Sequence, residues 1–261
     1  MSDYVRPNPA IEERVEKALR LSRYRKKYSG KNDDKKADAN GKRLGALAET
    51  IVANWAMLQH IPMLQRYGCE HHGRPDFWLG FPAYFPTGQI VWEAVAPVEV
   101  KAWQVKNNGI QFSLEHVKPG QHKVLWERDG YIAVVRFLEW NPEEWQAHGV
   151  LHFLRYRELS NESGLLSRSY VNQDGIIQKI MVVDYGRLAI PVGSFNATKV
   201  ADRDKGCWDI AWTSLRYMHE DPIRQALLHR HRIAQEAAKQ AVELERQMER
   251  APRHASPVTK D

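Results

Sequence analysis

The sequence predicts an α/β protein, with a mixed central sheet flanked by helices and a C-terminal elaboration ending in a long helix. Three observations predict it. Helical and strand periodicities follow one another in the order helix, strand, strand, strand, helix, strand between about residues 42 and 138. The strand Tyr131-Ile132-Ala133-Val134-Val135-Arg136-Phe137-Leu138 is nearly all apolar, as a strand covered on both faces must be. Residues 222–250 then keep a thin apolar stripe among charges for the length of a long helix.

The elements follow in order. Ile11, Val15, Ala18, Leu19 and Leu21 have helical spacing, and the basic run Arg25-Lys26-Lys27 follows with tyrosines on either side. Cations interleaved with aromatics suit phosphate contact with base stacking, although a solvated face is as good a reading. Residues 32–41 are almost without apolar side chains and read as a linker. Leu44, Leu47, Ala48, Ile51, Val52, Trp55 and Leu58 then define a helix over 42–60, ended by Pro62. Phe77 to Phe81 and Gln89 to Ala94 read as strands on either side of a turn at Pro82 to Gly88, and Val98 to Trp103 as a further short strand. Phe112 to Arg128 reads as a helix interrupted near Pro119-Gly120.

After Asn141 the pattern loosens. Gly149 to Phe153 and Gly175 to Asp184 read as strands of an added hairpin, and Arg203 to Gly206 as a turn. The chain divides on this reading into a basic helix and linker (1–40), a core (41–140), added strands (141–215), a long charged helix (216–250) and a disordered tail (251–261).

Composition limits function. With 261 residues, 43% hydrophobic and 27% charged, the chain can bury a large core. No apolar run is long enough to span a bilayer, and the polar N-terminus lacks the hydrophobic stretch of a secretory signal. Two cysteines cannot build a disulfide framework, so a cytoplasmic location is expected. A net charge of +6 favours a polyanionic partner such as DNA, without specifying what is done to it. There is no phosphate-binding glycine loop and no nucleophile elbow. Cys69, His71 and His72 lie close together, but a structural zinc site needs four ligands in paired spacing, and the other cysteine is Cys207.

One polar set stands out. Asp76 opens a strand in Arg74-Pro75-Asp76-Phe77. Glu99 and Lys101 are two apart on the next strand, so both point to one face of an otherwise apolar run. Glu49 lies on the preceding helix and can close the same cluster. Carboxylates holding Mg²⁺ (or Mn²⁺) beside a lysine make the smallest kit that cleaves a phosphodiester: the ion activates water, and the lysine orients or deprotonates that water and stabilises the developing charge.

Pro75-Asp76 followed by Glu99-Val100-Lys101 resembles the split motif of the PD-(D/E)xK nucleases. Glu49 matches the acidic residue many members carry on the helix before the sheet, and Gln121 a glutamine some place on the helix after the motif. The order of elements over residues 41–140 is most similar to RecU-type Holliday-junction resolvases. The later strands and long helix depart from that pattern, and no stalk insertion between the hairpin strands is recognisable.

The resemblance implies a restriction-endonuclease-like core. It implies metal ligation by Glu49, Asp76, Glu99 and the Val100 carbonyl, with Asp76, Glu99, Lys101 and Gln121 in the chemistry and DNA as substrate. Arg74 and Lys106, with Arg25, Lys26 and Lys27, are expected at the DNA. His229 to Arg232 on the long helix read most simply as a solvated face, with a coiled-coil or homodimer arm as the functional alternative. A restriction-type enzyme or exonuclease is the first alternative, and a non-catalytic DNA-binding or assembly protein on the same core is the second.

Overall fold

A computed structural model describes residues 34–65, 74–84, 90–104, 111–113, 117, 119–160, 165–171, 177–184, 188–200 and 207–250. The fold is α/β with a mixed sheet and a long C-terminal helix. The elements are α1 (Asp34–Leu58), β1 (Met63–Gln65), β2 (Phe77–Tyr84), β3 (Ile90–Gln104), β4 (Gln111–Ser113), α2 (Pro119–Glu127), β5 (Tyr131–Asn141) and β6 (Gln146–Arg155). A 3₁₀ turn (Tyr156–Ser160) follows, then β7 (Leu165–Val171), β8 (Ile177–Asp184), β9 (Ile190–Lys199), β10 (Trp208–Leu215) and α3 (Pro222–Arg250). Seven strands form one sheet in the order β1-β2-β3-β5-β6-β9-β10, and β4-β8-β7 form a second. Within the large sheet β3 and β5 are parallel and the other pairs antiparallel.

The two faces of the sheet are covered by different helices, as period-2 alternation requires. On one face α1 buries Leu47, Ile51 and Trp55, and α3 buries Ile223 and Leu227, against Val98, Val100, Ala133, Val135 and Phe153. On the other face α2 packs Leu125 and Trp126 on Ile132, Val134 and Leu154. Strand β5 thus has apolar side chains of both parities, which is the near-continuous run read in the sequence.

Several expected boundaries move, each for a local reason. The linker expected at 32–41 is helical from Asp34. Once the apolar half of α1 is nucleated and packed, each further residue adds one hydrogen bond for one residue fixed, and a polar run can follow. The helix ends two residues before the expected position: His60 adopts φ 50°, and the Ile61 N–H reaches back to the Ala56 carbonyl at 2.9 Å. That is a left-handed helix cap, after which Pro62 cannot continue the helix.

The strands expected at Gln89–Ala94 and Val98–Trp103 are one strand, β3. Pro97 sits opposite Trp78 and gives up one ladder donor without breaking the pairing. The turn expected from Pro82 is still β2 as far as Tyr84.

Phe112 to Arg128 is not one helix. Gln111–Ser113 pairs with Val182–Asp184 in the small sheet, and Pro119 begins α2 instead of interrupting it. Proline suits the first turn of a helix, where its missing N–H has no intrahelical role.

The strands after Asn141 do not form a hairpin apart from the core. Strands β6, β9 and β10 extend the large sheet, and β8 pairs with β4 and β7. Strands β1, β7, β9 and β10 escaped the sequence reading. The residues expected as an N-terminal helix (11–28), the Arg203–Gly206 turn and the tail 251–261 lie outside the described residues. Among the described residues no helix is long and apolar enough to cross a membrane.

Two acids fix α3 to this body. Asp221 is fully buried, caps α3 by accepting the N–H groups of Ile223 and Arg224 at 2.9 Å, and accepts the Trp55 indole N–H of α1 at 3.0 Å. Asp129, itself at φ 49° after α2, receives Arg155 of β6 and Arg230 of α3, each at 2.7 Å. Replacing Asp221 with alanine removes a cap and leaves a buried indole N–H without its acceptor. Asp221→Ala is expected to lower unfolding free energy by roughly 2–4 kcal/mol, with a smaller loss for Asp221→Asn, as read by urea denaturation. Equal losses in the two variants would mean that the cap is not what holds the helix.

Candidate active site

The site forms where β2 runs out beside β3. The last β2–β3 pair is Phe77 with Val98, so residues 99–104 of β3 have no β2 partner. Asp76, one residue before β2, takes that place: its Oδ2 accepts the Val100 N–H at 2.8 Å. In an extended strand the N–H and C=O of one residue point the same way, so the Val100 carbonyl also faces the Asp76 side. The Val100 side chain lies in the core under α1.

Glu99 and Lys101 point the other way, as their spacing predicts. Glu99 is 2% exposed, and its Oε1 is ion-paired with Lys101 Nζ. Glu99 Oε2 is buried and makes no hydrogen bond among the described residues. Burial is the largest influence on this carboxyl; the Asp76 charge adds to it, while Lys101 and Gln121 oppose it, and the result is a pKa pushed up to about 7. Gln121 reaches Glu99 from α2 and is itself buried. Glu49 is half-buried on α1. Its carboxyl is raised by burial and by the Asp76 charge and is eased by Lys101, which puts these three groups within electrostatic reach of one another.

Five side chains named from the sequence thus meet from four segments: Glu49 of α1, Asp76 before β2, Glu99 and Lys101 of β3, and Gln121 of α2. Arg74 is exposed two residues before Asp76. Arg25, Lys26, Lys27 and Lys106 lie outside the described residues, as do Cys69, His71 and His72.

Two residues escaped the sequence reading. Tyr156 is buried behind Glu99, whose charge, after burial itself, raises the phenol further. Its hydroxyl meets His122 Nδ1 at 2.5 Å. His122 neighbours Gln121, which was a clue; nothing in the sequence links Tyr156 to Glu99.

The donors suit a hard divalent cation. Carboxylates that burial and mutual repulsion drive toward protonation, with one buried oxygen lacking a hydrogen bond, are relieved by an ion bound between them. Among the described residues no three His, Cys, Asp or Glu side chains form a ready-made ligand group; the Val100 carbonyl is a further oxygen on the Asp76 side. Comparison with family models, curated proteins and solved structures matches this chain to none of them.

The raised Glu99 pKa carries a stability cost with a definite sign. Between the ordinary value of 4.5 and about 7 the folded chain keeps a proton that the unfolded chain releases, so stability from this group is full below 4.5 and is lost as pH rises through about 7. Glu99→Gln removes that loss and is expected to gain on the order of 2–3 kcal/mol at pH ~8 and little at pH ~4, read by thermal melting without divalent ions. A variant equally destabilised at both pH values would show that Glu99 is not strained.

Proposed function

We propose that this chain is a metal-dependent nuclease of the PD-(D/E)xK type, hydrolysing DNA phosphodiester bonds. The observation that carries the reading is the convergence of Glu49, Asp76, Glu99, Lys101 and Gln121 at one open strand edge. The succession α1, β2, β3, α2, β5, with β3 and β5 parallel, supports a restriction-endonuclease-like core.

Glu49, Asp76, Glu99 and the Val100 carbonyl would hold Mg²⁺ or Mn²⁺. Such an ion, when bound, lowers the pKa of water and offsets charge on the phosphate. The rest falls to the chain. Asp76 is fixed by the Val100 N–H, so its second oxygen keeps a set direction. Lys101 keeps its ammonium beside Glu99 on the substrate face, where it can donate to a phosphate oxygen as negative charge grows there. Gln121 steadies the Glu99 carboxylate and offers both a donor and an acceptor to the attacking water. That water's oxygen bonds to phosphorus and gives up a proton to solvent, the ester P–O bond breaks, and the departing oxygen takes up a proton.

The RecU likeness makes branched or four-way-junction DNA the first substrate to try, with a homodimer straddling it. A non-catalytic DNA-binding or assembly role on the same core is the second reading. It is favoured by the missing ready-made ligand group among the described side chains and by the closed Glu99–Lys101 pair.

Labelled linear, single-stranded and four-way-junction DNA, each with Mg²⁺, Mn²⁺ or EDTA, separates the readings. Wild-type protein is expected to cut only with metal, and Lys101→Ala and Asp76→Asn to cut roughly 10²–10³-fold more slowly while still binding DNA. Mn²⁺ alone is expected to raise the melting temperature of wild type and not of Asp76→Asn. Wild type that binds DNA but cuts nothing would establish the binding role instead.

A further inference from the structure

Beyond the end of β5 the chain builds a cation site that the nuclease reading does not use. Residues 142–145 join β5 to β6, with Asn141 and Gln146 paired on either side of the loop. Asn141 Oδ1 accepts the N–H groups of Glu143 and Glu144 at 3.1 and 3.2 Å, which holds the loop tight. Trp145 closes it at φ 54°, a conformation that suits glycine or asparagine and is unusual for a bulky side chain.

The Trp145 indole is met from three other places in the chain. Trp208 of β10 leans on it, with 6.2 Å between ring centroids. Lys199, at the end of β9, lays its ammonium over the ring 3.7 Å from the centroid, and its backbone N–H donates to the Trp145 carbonyl at 3.0 Å. Arg43 of α1 brings its guanidinium over the same ring, 4.8 Å from the centroid.

These two cations have no counter-charge. Among the described residues neither side chain has an ion pair or a hydrogen bond, and the indole is the contact that each makes. Glu143 and Glu144 are exposed in the adjoining loop, yet neither pairs with them. Asp129 is the contrast: there Arg155 and Arg230 are engaged by a carboxylate. An aromatic face attracts a cation through its quadrupole and leaves the charge and the N–H donors usable. Arg43 is exposed and Lys199 half-buried, so an anion can approach from solvent on the Arg43 side.

We infer that Arg43, Lys199 and Trp145 form a clamp for the phosphodiester backbone of DNA, in which the indole holds two cations near enough to share one phosphate or to take two neighbouring ones. Adjacent positive charges with no acid between them select a repeatedly anionic ligand, and the net charge of +6 favours a nucleic acid as its source. Arg43 stands on the helix that carries Glu49, six residues earlier and about 9 Å along its axis. DNA seated at Glu49 is long enough to reach the clamp with roughly three nucleotides. That place beside a cleaved bond rests on the nuclease reading, but the binding itself does not.

The test measures DNA binding in EDTA, so no cutting interferes, with fluorescein-labelled single-stranded and duplex oligonucleotides followed by anisotropy across a salt series. Arg43→Gln and Lys199→Gln are each expected to reduce the slope of log affinity against log salt by about 0.7 for the single strand and about 0.9 for the duplex, and together by about twice as much. Arg43→Lys keeps the charge and is expected to keep the slope. Trp145→Leu keeps both charges but removes the ring between them, and is expected to weaken binding roughly threefold or more. Arg128→Gln removes an equal charge from an exposed position before β5, at its other end, and is expected to leave the slope unchanged.

Melting curves identify any variant that fails to fold, and a purely structural contact would lower the melting temperature without changing the slope. Wild-type slopes in folded Arg43→Gln and Lys199→Gln would overturn the clamp even if wild type cuts DNA with metal. An equal fall in Arg128→Gln would overturn it too, since the attraction would then be diffuse. Calorimetry with inorganic phosphate alone separates a second source: Arg43-dependent phosphate binding with unchanged DNA slopes would replace DNA by the free anion. Reduced slopes in a protein that never cuts would keep the clamp and remove the nuclease reading.

Discussion

The parallel pairing of β3 with β5 is the constraint from which the site follows. Parallel neighbours cannot be joined by a tight turn; the chain must cross over one face of the sheet to begin the second strand at the same end. Here that crossover carries α2, and it lands on the face of Glu99 and Ile132. Covering Ile132, Val134 and Leu154 supplies the apolar burial that holds α2 down. The same act buries Glu99 and brings Gln121 onto it. A hairpin between β3 and β5 would leave Glu99 in water.

The other half of the site comes from what β2 does not do. Because β2 starts at Phe77, the β3 edge beyond Val98 is handed to a side chain, and Asp76 makes the bond a strand would have made. An acid can therefore stand at the edge of a hydrophobic sheet. The helix α1 lies across the opposite face, and at this edge its Glu49 comes within the field of Asp76 and Lys101. Three acids and one lysine in a partly covered place are costly to the fold. Burial pushes the Glu99 and Glu49 carboxyls upward, and Lys101 offsets only part of this. A fold retaining such a group without a structural return is storing free energy that a cationic ligand can recover.

That cost is offset away from the site. Burial works against the Asp129 charge, but Arg155 and Arg230 hold its carboxyl below the ordinary value, so these ion pairs strengthen the fold near neutral pH. Asp221 ties α1 to the start of α3, and Trp212 of β10 donates its indole N–H to Asn54 of α1 at 2.7 Å. Like Asp76, Asp221 supplies the partner that a backbone N–H lacks, whereas Asp129 is satisfied by guanidinium groups.

How much was legible in the sequence differs from element to element. Helix α3 matched the predicted residues 222–250, because an apolar stripe at helical spacing is a local signal. The strand β5 was plain from its unbroken apolar run. Glu99 and Lys101 were legible as a pair because a strand repeats every two residues whatever it packs against. Strands β9 and β10 were missed, since Ile-Pro-Val-Gly-Ser-Phe and Trp-Asp-Ile-Ala-Trp acquire strand identity only by pairing with β6 and with each other. Phe112 and Ser113 were read into a helix but belong to β4, which pairs with the edge of β8.

By itself the sequence determined the residue types at the site, the common face of Glu99 and Lys101, and the helix that carries Glu49, because period and propensity act over a few neighbouring residues. Only the tertiary structure decided that these groups meet and that Tyr156 stands behind Glu99. Those outcomes depend on strand order and register between segments far apart in the chain, which local patterns do not encode.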